Sequence, residues 1–315
     1  MPGMSTPART QVWTMGESMM SLRASSPLNG TTTWTTHVAG AESNVAIGLS
    51  RLGHAVSWAS RVGADSYGRL VLRQVRGEGV DVSGVTVDPD HPTGFMLLVP
   101  QGYGAAVDYH RAGSAASLLD ELVVGLLEAA SPQVVVLSGI TPALGEGPAR
   151  ATLAAARRGR ELGAKVVLDV NHRSLLWSAD AAGQLISGML DSVDVLIGSP
   201  DELKLLGAAM PDLFSHGVGE IVVKLGGAGA RLHLPDGVLN GPTEALTVID
   251  PVGAGDAFTA GYVSGMLDAL EPAARLRRAN LMGAAAVTHS GDWEGLPFRD
   301  ELLARELSAG VDVRR

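Results

Sequence analysis

The chain has 315 residues, 46% of them hydrophobic and 18% charged, which allows a sizeable core and excludes a disordered protein. A net charge of −9 argues against a nucleic-acid partner, although a small anionic ligand needs only a local basic cluster. With no cysteine, disulfides, thiolate metal sites and thiol nucleophiles are excluded.

In chain order, the sequence predicts strands at 12–16, 19–24 and 31–38. A helix follows at 41–52, where Val45, Ile47, Leu49 and Leu52 form an apolar face and Gly53 fits the C′ position. Next come a strand at 55–62 and a helix at 66–75 with Asp65 as N-cap. Segments 94–99 and 105–111 flank Gly102 and Gly104 and read as a hairpin. Helix 118–129, strand 134–138, helix 147–162, strand 165–170, helix 181–190, strand 193–197, helix 201–206 and strand 220–225 then alternate. Such alternation means a parallel sheet covered on both faces, and Val134-Val135-Val136-Leu137 reads as a fully buried strand. Strands at 231–234 and 243–248 and helices at 257–270 and 273–290 close the fold. The early strands and the hairpin break the alternation and are expected to pair as a small separate sheet. Residues 1–10 lack the apolar core of a secretory signal, and the apolar run 134–144 is too short to span a bilayer. A cytoplasmic protein with no membrane partner is expected.

The run Asp250-Pro251-Val252-Gly253-Ala254-Gly255-Asp256 carries the most chemical information. Small residues admit a ligand close to the backbone, and the N–H groups at a helix start bind anions. Asp256 beside such a site can take a proton from a hydroxyl, as phosphoryl transfer to an alcohol requires. Taken alone, the run is also an ordinary strand-to-helix turn. No Gly-x-x-x-x-Gly-Lys-Ser/Thr is present, which excludes a P-loop kinase. Asp169-Val170-Asn171-His172-Arg173 follows a buried strand, at the sheet edge where α/β proteins bind ligands. Lys224-Leu225-Gly226-Gly227-Ala228-Gly229 is a Gly-rich turn after another strand, and Ser138-Gly139-Ile140-Thr141 ends a third. Gly40, Asn44, Tyr109, Arg111 and Asp292 offer polar or cationic contacts nearer the expected small sheet.

In family order and across nearly the whole chain, these motifs resemble the ribokinase-like (PfkB) carbohydrate kinases. The resemblance implies an α/β fold with a central, mostly parallel sheet flanked by helices and a small β-sheet lid. It implies one kinase domain over 10–312, with the lid formed by about 17–38 and 92–112. Asp256 becomes the base, and Gly253, Ala254 and Gly255 the anion hole. Gly40, Asn44, Tyr109, Arg111, Ile140, Arg173 and Asp292 would meet the sugar. Asn171, Ser199, Lys224, Gly226, Gly227, Gly229 and Asn280 would meet ATP. Glu202 would hold Mg²⁺ through water, with Ser199 standing where relatives carry Asn. Implied cofactors are ATP and Mg²⁺, with K⁺ as a further monovalent-cation candidate, and the lid is a natural surface for a homo-oligomer, dimer or higher. Tyr-x-Arg at 109–111, the Ser138 and Asp169 motifs and Gly291-Asp292 look like those of members acting on 2-keto-3-deoxygluconate. Arg111 and Arg173 supply partners for its carboxylate, and a neutral sugar would leave a buried Arg111 poorly compensated. Fructokinase or ribokinase is the alternative among kinases. A non-catalytic sugar- or nucleotide-binding protein is the alternative outside them.

Overall fold

The computed structural model describes residues 9–28, 32–101, 104–244 and 247–309. Its larger sheet has nine strands. Its parallel part takes β1 (Val12–Met15), β4 (Val56–Gly63), β5 (Val85–Asp88), β8 (Val134–Ser138), β9 (Lys165–Asp169), β10 (Val195–Gly198) and β11 (Glu220–Lys224). At one edge β12 (Ala230–Leu234) and β13 (Gly237–Gly241) are added antiparallel. The order across the sheet is β13-β12-β11-β10-β9-β8-β1-β4-β5.

Period-two alternation splits the apolar side chains between two faces. Val12, Val134, Val136, Val167 and Val222 pack with α1 (Ala41–Arg51), α2 (Ser66–Gly77), α8 (Ala254–Leu267) and α9 (Pro272–Ala286). Trp13, Val135, Leu137, Val166 and Ile221 pack on the other side with α3 (Val123–Ala130), α4 (Glu146–Glu161) and α5 (Ala179–Ser187). Continuous Val/Leu strands therefore feed two cores at once, as doubly covered parallel sheets require.

The smaller sheet joins β2 (Met19–Ala24), β3 (Trp34–Ala39), β6 (Phe95–Gln101) and β7 (Gly104–His110) in the order β3-β2-β6-β7. β2 runs antiparallel to β3 and parallel to β6, and β6-β7 is the expected hairpin. Met19, Ala39, Met96 and Leu98 form a small apolar cluster of its own.

Several expectations need correction. Of the strand expected at 243–248, the described residues 243–244 and 247–248 form none. The return strand is β13, joined to β12 by a tight turn at Pro235-Asp236, and Gly241-Pro242 ends it. Val248 and Ile249 are exposed, and 245–246 lie outside the described residues. The helix expected at 118–129 is a 3₁₀ turn, Ala115–Leu118, followed by α3, because the Asp120 side chain accepts from Leu122 N–H at 2.9 Å and interrupts it. α8 starts three residues earlier than expected, so Asp256 sits inside its first turn. β5, the short α7 (Met210–Ser215) and α10 (Arg299–Ala309) were not expected at all. α6 (Pro200–Lys204), Asp65 as N-cap of α2 and Gly53 with φ +83 after α1 match the reading.

Candidate active site

The C-terminal ends of β8, β9 and β11 place Ser138, Asp169 and Lys224 along one edge of the large sheet. α8 begins against that edge. Its N-cap, Gly253, has φ +78, and a Cβ there would lie 2.0 Å from the Asp292 carbonyl oxygen. Only glycine lets the 250–255 loop press onto the 291–292 loop in this conformation. Gly253 makes no side-chain cap bond, and Ala254 N–H meets only Pro251 O at 3.4 Å, so this helix start suits an anion. Gly255 is at its centre: a Cβ on it would stand 3.4 Å from Lys224 Nζ.

Asp256 is buried. Asn44 Nδ2, from the first turn of α1, donates to Asp256 Oδ2 at 2.8 Å and to Asp292 Oδ2 at 3.1 Å. Asn171 Nδ2 donates to Asp256 Oδ1 at 3.3 Å, from a backbone at φ +38 that asparagine tolerates. Burial pushes the Asp256 carboxyl up to about 7; the Asn44 bond opposes this, the Asp169 and Asp292 charges add to it and Arg173 opposes it. The helix start, which favours the ionised form, does not prevail over burial. Burial likewise raises Asp292 to about 6 against the pull of Arg23. A carboxyl near 7 is poised to exchange a proton at neutral pH.

Lys224 Nζ donates to both oxygens of Asp169, at 2.7 and 2.8 Å, and Thr259 Oγ1 adds a third bond at 2.8 Å. Burial alone would lower the lysine pKa, but the Asp169, Glu202 and Asp256 charges outweigh it and the net shift is upward. Lys224 lines a cleft of about 430 Å³ with Gly226, Gly227, Gly229, Ala254, Gly255, Phe258 and Asn280. Asn280 Nδ2 donates to Gly241 O at 2.8 Å and Pro242 O at 3.3 Å, so it ties β13 to the cleft wall. Small residues, a cation and an apolar wall fit a nucleotide triphosphate here. Asn171 and Ser199 are not part of this lining. Asn171 turns to Asp256, and Ser199 is the N-cap of α6 in a capping box with Glu202. Glu202 accepts Ser199 N–H at 2.7 Å and His172 N–H at 3.1 Å. Among the described residues no group of three His or acidic side chains could hold a metal ion.

On the other side of Asp256, a Cβ on Gly40 would lie 2.5 Å from Glu17 O, so that loop is held close to the small sheet. Tyr109 is partly exposed, with Arg111 Cζ 5.8 Å from its ring centroid. Arg111 is ion-paired at 2.5 Å with buried Glu17, which also accepts Ser114 Oγ at 2.5 Å. This corrects the expectation that a buried Arg111 needs a substrate carboxylate: Glu17 compensates it. Arg173 is exposed, and its Nη1 donates to His172 O at 3.4 Å. Ile140, half-buried, donates its N–H to Ser138 Oγ at 3.1 Å. Phe95 stacks on His110, ring centroids 4.5 Å apart.

Three residues escaped sequence reasoning. Glu17 and Arg23 sit in or beside a plain strand pattern, and their partners are distant in the chain. Glu42 is fully buried in the first turn of α1, receives Thr141 Oγ1 at 2.5 Å, and is pushed by burial to about 7 despite that bond. A carboxylate just before Asn44 was the only available signal.

A model of the pfkB family carbohydrate kinases matches residues 9–299. The 2-dehydro-3-deoxygluconokinase of Bacillus subtilis (strain 168) is 36% identical, over 96% of this chain and 97% of its own. The 2-dehydro-3-deoxygalactonokinase of Haloferax volcanii is 32% identical, over 95% and 98%. The crystal structure of aminoimidazole riboside kinase from Salmonella enterica, complexed with aminoimidazole riboside and an ATP analog, superposes with a TM-score of 0.78 at 27% identity. It spans 94% of this chain and 100% of its own.

Proposed function

The chain belongs to the pfkB family of carbohydrate kinases and is a sugar kinase with the ribokinase-like fold, and from this we propose that it phosphorylates the terminal hydroxyl of 2-keto-3-deoxygluconate. One observation carries the chemistry: Asp256, a buried carboxyl pushed up to about 7, stands in the first turn of α8, whose N-cap Gly253 makes no side-chain cap bond.

In this reading Asp256 takes the hydroxyl proton as the oxygen attacks the γ-phosphorus of ATP. The Gly253, Ala254 and Gly255 backbone stabilises charge on the transferring group. Lys224, beside Gly255, meets phosphate oxygens with Asp169 holding it in place. Gly226, Gly227, Gly229 and Asn280 would line the nucleotide cleft, and Mg²⁺ would neutralise the phosphates, with Glu202 reaching it only through water. Asn44 and Asp292 meet sugar hydroxyls, and Gly40 and Ile140 shape the floor. The small sheet acts as a lid that keeps water, a competing acceptor, away from the phosphoryl group.

The substrate is supported by relatives named for 2-dehydro-3-deoxy sugar acids; in this reading Tyr109, Arg111 and Arg173 would supply the ring and cations that meet the acid. A specific observation favours a second reading, a neutral sugar such as fructose or ribose: the Glu17 carboxylate already occupies Arg111. ATP-dependent phosphorylation across 2-keto-3-deoxygluconate, its galacto epimer, fructose and ribose separates the two. Preference for the acids upholds the first; preference for a neutral sugar replaces it and leaves the Asp256 chemistry in place.

A further inference from the structure

Arg23 lies on β2, its backbone paired with Thr35 of β3 and Leu98 of β6. Its side chain leaves the small sheet and enters the large one's catalytic edge. Nη1 is ion-paired with Asp250, and Nη2 donates to Asp292 Oδ1 at 2.8 Å. The side chain is only 10% exposed, so this is a buried cation between two carboxylates. Asp250 precedes α8 and Asp292 follows α9, and their loops meet at Gly253. Asp250 also accepts Val252 N–H at 3.1 Å and Gly291 N–H at 3.3 Å. From Asp292 the network continues through Asn44 to Asp256. Without the guanidinium, two carboxylates would stand unpaired behind the anion-binding end of α8, repelling each other and any phosphoryl oxygen.

We propose that Arg23 is a positioning residue for phosphoryl transfer: its guanidinium forks across Asp250 and Asp292, fixes the two loops that shape the anion site, and offsets their negative charge. This rests on reading residues 253–255 as that site and Asp256 as the base. Arginine suits the task because its planar fork spans two acceptors and stays charged when buried.

The test compares Arg23→Ala, Arg23→Gln and Asp256→Asn in the full chain. It measures kcat, KM for sugar and ATP, and ATP affinity, with and without guanidinium ion below denaturing concentrations. Loosened loops are expected to lower kcat of Arg23→Ala by about 10²-fold. ATP affinity should hold, because Arg23 is not part of the nucleotide cleft. Free guanidinium should restore part of kcat in Arg23→Ala and none in Asp256→Asn. Near-wild-type kcat in Arg23→Ala overturns the proposal, as does a loss that guanidinium leaves untouched while ATP still binds. If Arg23→Ala does not fold, Arg23→Gln decides: reduced kcat with intact ATP binding supports the role, and unchanged kcat overturns it. Unchanged turnover in Asp256→Asn overturns the underlying reading instead.

Discussion

Asn44 and Asp256 are 212 residues apart in the chain and joined by a 2.8 Å hydrogen bond from Asn44 Nδ2 to Asp256 Oδ2. That bond is the main force holding the Asp256 pKa down against burial. Its removal in Asn44→Ala therefore raises the pKa further. Since only the ionised carboxylate accepts a proton, activity should fall below about pH 7 in the wild type. The acid limb of kcat/KM should move to higher pH in the variant. A pH–rate profile with an unmoved limb would contradict this.

Asp256→Asn keeps the shape and one of the two accepted hydrogen bonds, sets an NH2 against the other amide donor, and removes the proton acceptor. Turnover should drop by about 10²-fold or more, while ATP binding, measured by calorimetry, stays close to wild type. Turnover near wild type would dismiss Asp256 as the base.

Glu42 gives a pH-dependent stability. Its folded pKa is raised from 4.5 to about 7, so the folded state binds a proton that the unfolded state releases in that window. The stabilising contribution is complete below pH 4.5 and is lost as pH rises through 7. Glu42→Gln removes the charge and leaves an acceptor for Thr141. It should raise stability at pH 8 by up to ~3 kcal/mol and change little at pH 4. Thermal melts at the two pH values test this; equal shifts at both would refute it.

Gly253→Ala places a methyl 2.0 Å from the Asp292 carbonyl oxygen at φ +78. The cost should be about 1–3 kcal/mol of strain. Turnover should fall more than ATP affinity, because the shifted loop would hold the transferring phosphoryl group, while Lys224, Gly226, Gly227, Gly229 and Asn280 of the cleft stay in place. Denaturant unfolding and steady-state kinetics read the two effects separately.

Much of the frame was legible from residues 12–24, 41–52 and 134–138, where strand alternation and helix periodicity match the structure almost to the residue. The placement of Asp256, Asn44 and Lys224 near one sheet edge was legible because neighbours mark each position: small residues at a helix start, a first-turn position, a Gly-rich turn. β13 was misplaced because the exposed stretch 247–249 is more apolar than the true strand, whose Gly237 and Gly241 weaken its pattern. α10 is an amphipathic surface helix without a strong apolar stripe and was passed over. Arg23 was invisible for another reason. An arginine in a strand normally faces water, and its partners here lie 227 and 269 residues further on. No local pattern encodes such a pairing. The misjudged balance of charge at Arg111 has the same origin, since Glu17 lies on the far side of the chain's first crossover.

Those separations also govern how the molecule comes into being. As the polypeptide leaves the ribosome, Arg23 emerges long before either acid that will receive it, and Asn44 long before Asp256. The small sheet can take shape early through its own apolar contacts, yet its buried cation has nowhere to go until residue 292 has been made. Contacts of this sequence separation close late and slowly. A fragment that ends before residue 292 therefore lacks the cluster that joins Arg23, Asn44, Asp256 and Asp292.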